Sequence, residues 1–186
     1  PMNFSDHLRC VANALWLKER EHPFVRGIGT GELPFECFRY YMKQDYLFLI
    51  DFSRVIALAS ARSSEVSDMA WFAGFLNDTI TTEMSLHIGF CSDFDITRAD
   101  LDDTKPSPAT LAYTGHLLQI GYTGSIGDIT AALLPCSWGY SEIGKMLHDQ
   151  GLPTENPLYC KWITMYSDPE FADLAKWLRG FLDRMA

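Results

Sequence analysis

Two short stretches carry the residue types that chemistry needs. In "ALLPCSWGYSEIG", residues 132–144, Cys136 directly follows a proline inside an apolar run, and Tyr140 stands four residues on. Pro135 lacks a backbone N–H and its ring crowds the preceding turn, so the carbonyl of Ala131 loses its partner and the spacing predicts a kinked helix. A thiol just past a kink resembles one at a helix start, where less engaged amides favour thiolate, the nucleophilic form. On a helix Tyr140 shares the face of Cys136, so a phenol can border the same cavity. Equally, a lone cysteine in an apolar helix is most often a small buried hydrophobe. Spacing alone leaves both open.

The second stretch is "YYMKQDYLFLIDFSRV", residues 40–55, where Asp45 sits among aromatic and aliphatic neighbours with Phe48 and Phe52 on its own face. A carboxylate aimed into such a core costs several kcal/mol unless a donor meets it. Either Asp45 faces a buried side chain, a thiol or a ligand amine, or the helix turns it outward along the edge marked by Lys43 and Gln44. Tyr113 in "PATLAYTGHLL" and Tyr166 in "KWITMYSDPEF" are two more tyrosines in apolar helical contexts. Core packing with a satisfied hydroxyl is their default reading; together with Tyr140 they could line a flat slot for a planar heteroaromatic ring. Glu83 and His87 share a face in "EMSLH", but di-iron bundles use Glu-x-x-His at a spacing of three, in duplicate. His7, His22 and His116 read as ordinary histidines. No metal site and no cofactor is expected.

Helices must position these groups, since helix-period signals are common and strand signals scarce. Residues 3–20 place Phe4, Leu8, Val11, Ala12 and Leu15 on one face of an amphipathic helix. "HPFVRGIGTGELP" has glycines and prolines enough to read as a loop. A long helix is expected from Pro34, in a first-turn position, to about Arg62. Serines and Glu65 open the next one. "SDFDITRADLDDTKPSP" is the most loop-like segment. Further helices are expected over about 108–121, through the Cys136 stretch, and around Trp162 and Phe171. About seven helices with short links predict an all-α bundle in one domain. From Phe171 an apolar stripe runs through Leu174, Ala175, Leu178, Phe181, Leu182 and Met185; it needs a cover from the bundle, from another subunit or from a further segment.

A formal charge of −9 over 186 residues, with no basic run, argues against nucleic acid as a partner. No apolar run approaches a membrane span and no leader opens the chain, so no membrane partner is expected. Five scattered cysteines without a CxxC pair suit reduced thiols in a cytoplasm.

With these residues in view, the chain resembles the TenA family, also called thiaminase II or aminopyrimidine aminohydrolase, in its cysteine-containing branch. The resemblance runs nearly end to end, through "HPFVRGIGTGELP", "QDYLFLIDFSRV", "PATLAYTGHLL", "LLPCSWGYSEIG" and "YCKWITMYSDPEF" in order. It implies a haem-oxygenase-like all-α fold without haem, usually a homotetramer (a homodimer is the alternative), and a pyrimidine or thiamine substrate. The reaction implied is hydrolysis of an aminomethyl-aminopyrimidine, or of thiamine, to hydroxymethylpyrimidine for thiamine salvage. Carried across, Cys136 matches the nucleophile, Asp45 the carboxylate that holds the pyrimidine amino group, and Tyr113, Tyr140 and Tyr166 the pocket tyrosines. Phe48 stands where many members have tyrosine, which keeps ring contact and drops a hydroxyl. The family's acid/base glutamate lies in a last helix, which the resemblance places after Ala186, so the expectation is one domain lacking its C-terminal helix. The alternative function is a non-catalytic pyrimidine- or thiamine-binding, or regulatory, protein.

Overall fold

The computed structural model describes residues 2–186. These form eleven α-helices and one π turn, without a strand among the described residues. They are α1 (Phe4–Val11), α2 (Asn13–Arg20), α3 (Pro23–Thr30), α4 (Phe35–Arg62), α5 (Val66–Asp78), the π turn (Thr79–Glu83), α6 (Met84–Asp93), α7 (Arg98–Asp103), α8 (Pro108–Thr123), α9 (Ile126–Asp149), α10 (Pro157–Tyr166) and α11 (Pro169–Met185). They group into two compact units, one of residues Phe35–Leu133 and one that joins the first 34 residues to Leu134–Ala186. The border falls inside α9, one residue before Pro135.

In the unit Phe35–Leu133, α4 is the axis against which α5, α6, α7, α8 and the π turn pack. Its inner face supplies Phe38, Met42, Phe52, Val55, Ile56 and Ala59 to a core completed by Phe72, Phe90 and Leu117. Gly121 lets α8 lie close on α4, since a Cβ there would come within 2.8 Å of Leu58. Polar ties fix both ends of α8. At its start Ser107 caps Thr110 N, and the Gln44 amide accepts from Ser107 N (2.9 Å) and the Thr110 hydroxyl (2.7 Å). At its end Arg62 donates to the carbonyls of Tyr122 and Gly124, which a helix terminus otherwise leaves bare.

In the other unit α11 packs on α1 and α10, α10 on α3, and α2 on both α1 and α3. The middle of the stripe on α11 is covered, with Ala175, Leu178, Phe181 and Leu182 buried, while Met185 at its end stays exposed. Part of that cover is α1, tied down where Asp183 accepts from the amide (2.7 Å) and hydroxyl (3.1 Å) of Ser5.

Several sequence expectations are corrected here. Residues 3–20 are two helices broken at Ala12 (φ −85°, ψ 3°), and the apolar face is turned outward, with Val11 72% and Leu15 68% exposed. The inward side instead holds Ser5 and Trp16. Arg9 lies 4.0 Å over the Trp16 ring and pairs with Glu142 at 3.1 Å, so a cation and an indole take the place that the aliphatic stripe was expected to fill. The segment read as a loop, "HPFVRGIGTGELP", contains α3. His22 caps it, Pro23 opens it, and Gly31 closes it at φ 79°, the left-handed cap conformation. Its inner glycine Gly29 is a packing residue rather than a breaker, because a Cβ there would meet Leu147 at 2.7 Å. Within the acidic segment, a Thr97–Asp100 capping box organises the short helix α7.

Candidate active site

Helix α9 is continuous on both sides of Pro135, which stands inside it. One missing hydrogen bond is a local cost. Burial of Leu133, Leu134, Ile143 and Leu147 on the same helix offsets it, while the proline ring itself stays exposed. Cys136 is therefore a mid-helix residue, half-buried, with Tyr140 one turn further along the same face.

Tyr140 meets Tyr166 of α10 with ring centroids 4.6 Å apart, and Tyr166 touches Trp162 at 4.7 Å and Phe171 at 5.2 Å. The approach of α9 to the end of α10 depends on Gly144, where a Cβ would fall 2.5 Å from the carbonyl carbon of Tyr166. The Trp162 ring is buried and its indole N–H has no hydrogen-bond acceptor among the described residues. An aromatic cluster with a thiol on its helix and an unmet donor suits a flat ligand that carries acceptors. The sequence pointed to Cys136, Tyr140 and Tyr166; it gave no sign that Trp162 would be left with an unmet donor.

In the unit Phe35–Leu133, Asp45 faces inward and meets a buried donor, which resolves the alternatives left open by spacing. The imidazole Nε2 of His87 on α6 lies 3.4 Å from Asp45 Oδ2, with the two side chains 6% and 13% exposed. Nε2 is within ion-pair reach but makes no aligned hydrogen bond. The other ring nitrogen, Nδ1, lies 3.6 Å from Cys91 Sγ. Burial by itself would push the imidazole down; the Asp45 carboxylate and Cys91 outweigh it and bring His87 up to about 9. Glu83, on the π turn, goes up to about 7, through burial first and then the charges of Asp45 and Asp78. Phe48, buried one turn from Asp45, stacks on Tyr113 of α8 at 5.0 Å and 28° and touches Phe52 at 5.2 Å. Tyr113 is part-exposed, so it is a ring on a rim rather than a core residue.

His87, Cys91 and Glu83 are the group that sequence reasoning missed. A signal existed: His87 and Cys91 stand four apart on one helix face, and Glu83 four before, in a segment weighed only as a metal site. What the sequence did not contain was the crossing of α4 over α6 that sets Asp45 against them.

The TENA/THI-4/PQQC family model matches residues 11–186. A protein of Halalkalibacterium halodurans named aminopyrimidine aminohydrolase is 40% identical, over 100% of this chain and 83% of its own length. One of Helicobacter pylori with the same name is 35% identical over 99% of this chain and 85% of its own. Among solved structures, a protein of a Silicibacter species described as a TenA family transcription regulator superposes with a TM-score of 0.91. It is 39% identical and covered over 81% of its length by all of this chain.

Proposed function

The chain belongs to the TENA/THI-4/PQQC family and has the all-α, haem-oxygenase-like fold of TenA homologues, and from this we propose that it hydrolyses an aminopyrimidine. The observation that supports this most is the array on α9 and α10: a half-buried thiol, two tyrosines in contact and a buried indole N–H that lacks an acceptor. The substrate is an aminomethyl-aminopyrimidine, with thiamine as a second one.

Cys136 as thiolate adds to an electron-poor ring carbon while a general acid protonates the ring nitrogen. The carbon–nitrogen bond to the exocyclic methylene then breaks and ammonia leaves. Water adds at the methylene, the carbon–sulfur bond breaks, and hydroxymethylpyrimidine is released, ready for thiamine salvage. Asp45 takes the ring amino group, Tyr140 and Tyr166 orient ring and thiol, and Tyr113 and Phe48 supply stacking faces. The reading includes a homotetramer, or failing that a homodimer, in the cytoplasm, where the five cysteines, without a disulfide among the described residues, stay reduced. Among the described residues no helix is long and apolar enough to cross a membrane.

A second reading, favoured by Phe48 in place of a phenol, is a protein that holds the pyrimidine, as a binder or a regulator, without turning it over. Ammonia release from the aminomethyl-aminopyrimidine separates the two. The enzyme reading expects turnover by the native chain and a loss of at least about a hundredfold in Cys136→Ser, with ligand still bound. Equal inertness of both, with binding retained, leaves only the second reading standing.

A further inference from the structure

The proposed reaction assigns no role to His87, yet this buried group lies within ion-pair reach of the Asp45 carboxylate. Its side chain is 6% exposed, and a buried imidazole in a helical core is unfavourable without partners on both nitrogens. Nδ1 has Cys91 Sγ one turn along α6, and Nε2 lies within ion-pair reach of Asp45 Oδ2 on α4. The Tyr46 ring, tilted at 36° with its centroid 6.2 Å away, borders the imidazole on the α4 side. Cys91 is itself fully buried, so the tether at Nδ1 is not exchanged for water. The charged neighbours of this assembly are Asp45 from α4, Glu83 from the π turn and, beyond it, Asp78.

We propose that His87 is a positioning residue for Asp45: tethered by Cys91, its imidazolium holds Oδ2 and so fixes which carboxylate oxygen is presented to the amino group of a bound pyrimidine. The inference rests on the aminopyrimidine reading above and names a residue that this reading leaves out. Two features support it. Asp45 Oδ2 and His87 Nε2 lie 3.4 Å apart with both side chains largely buried, so removal of the imidazole takes away the buried cation that this carboxylate oxygen meets and lets the carboxylate rotate. A rotated Asp45 is a poorer acceptor for an amine. The two groups also come from different helices, α6 and α4, so the carboxylate is met from outside its own helix, at 3.4 Å.

The test compares the native chain with His87→Gln, which can still donate from the outer nitrogen but carries no charge, and with His87→Leu, which does neither. Hydroxymethylpyrimidine binding is measured by calorimetry, and kcat and KM for the aminomethyl-aminopyrimidine are measured across the pH range. The expected result is a native KM that worsens as pH rises towards about 9, where the imidazolium is lost. His87→Gln should lose that limb and show across the whole range the weaker affinity that the native chain reaches above about 9, and His87→Leu should lose about tenfold or more in affinity. Loss of the alkaline limb in a folded His87→Gln is a change that a merely structural role does not require. If the native chain binds and turns over the pyrimidine but the alkaline limb persists in His87→Gln, the positioning role is overturned and the function stands. If the native chain neither binds nor hydrolyses it, the functional reading fails and takes this inference with it.

Discussion

Raising the pH from about 5 to about 9 should destabilise this protein in two overlapping steps, set by Glu83 and His87. Both bind their protons more tightly in the folded chain: Glu83 goes from 4.5 to about 7, and His87 from 6.5 to about 9. Between 4.5 and about 7 the folded chain retains a proton on Glu83 that the unfolded chain has released. Its contribution is complete below 4.5 and is lost as pH rises through about 7. The same holds for His87, complete below 6.5 and lost through about 9. At about 1.4 kcal/mol per pH unit, each gap sets a ceiling of about 3 to 4 kcal/mol. Glu83 is only partly buried by surface area, and solvent screening brings its share down to about 2 kcal/mol. Glu83→Gln copies the protonated side chain, so it should match the native chain at about pH 4.5 and exceed it by about 1–3 kcal/mol at about pH 8. Urea melts of both proteins at a series of pH values read this as a difference curve, in which carboxylates common to the two cancel. A flat difference between about pH 4.5 and 8, or one of opposite slope, would refute the placement of Glu83 beside Asp45 in a poorly solvated site.

Gly144→Ala sets a methyl 2.5 Å from the Tyr166 backbone, which cannot yield as a side-chain tip can. Thermal melts should show a loss of about 2–3 kcal/mol, against about 1 kcal/mol or less for Gly29→Ala, which meets only the Leu147 side chain. Leu178→Ala empties a fully buried position on α11 and should cost about 2–5 kcal/mol in urea melts; a loss below about 1 kcal/mol would mean that the stripe is not covered as described. Phe48→Tyr adds the hydroxyl that the family resemblance implies at this position, and should lower KM for the aminopyrimidine by about two- to tenfold. An unchanged KM in a folded variant would show that this hydroxyl does not reach the substrate.

The parts of the fold legible in the sequence were those encoded within a few residues. Pro108 after Ser107, Pro157 after Asn156 and Pro169 after Asp168 each place a capping side chain before a residue already fixed for a first turn, and each starts a helix. The long helix α4 begins at Phe35, directly after Pro34, and ends at Arg62, as its periodicity implied. Local signals misled where tertiary contact sets the outcome. The glycines of α3 looked like breakers because a glycine that opens a turn and one that admits Leu147 read alike. The apolar face of α1 and α2 looked like core, yet Arg9 and Trp16 hold the inner side.

For the site, the sequence determined which groups are available: a thiol with a phenol one turn on, a carboxylate among aromatics, tyrosines in apolar helices. Only the tertiary structure decided their partners. It set Tyr140 on Tyr166, Phe48 on Tyr113, and Asp45 on an imidazole that the sequence analysis had weighed only for metals. The reason is physical. A cap or a helical face depends on the next four residues, whereas the neighbour of a buried charge depends on where two helices cross, and that is fixed by the packing of the whole unit around α4.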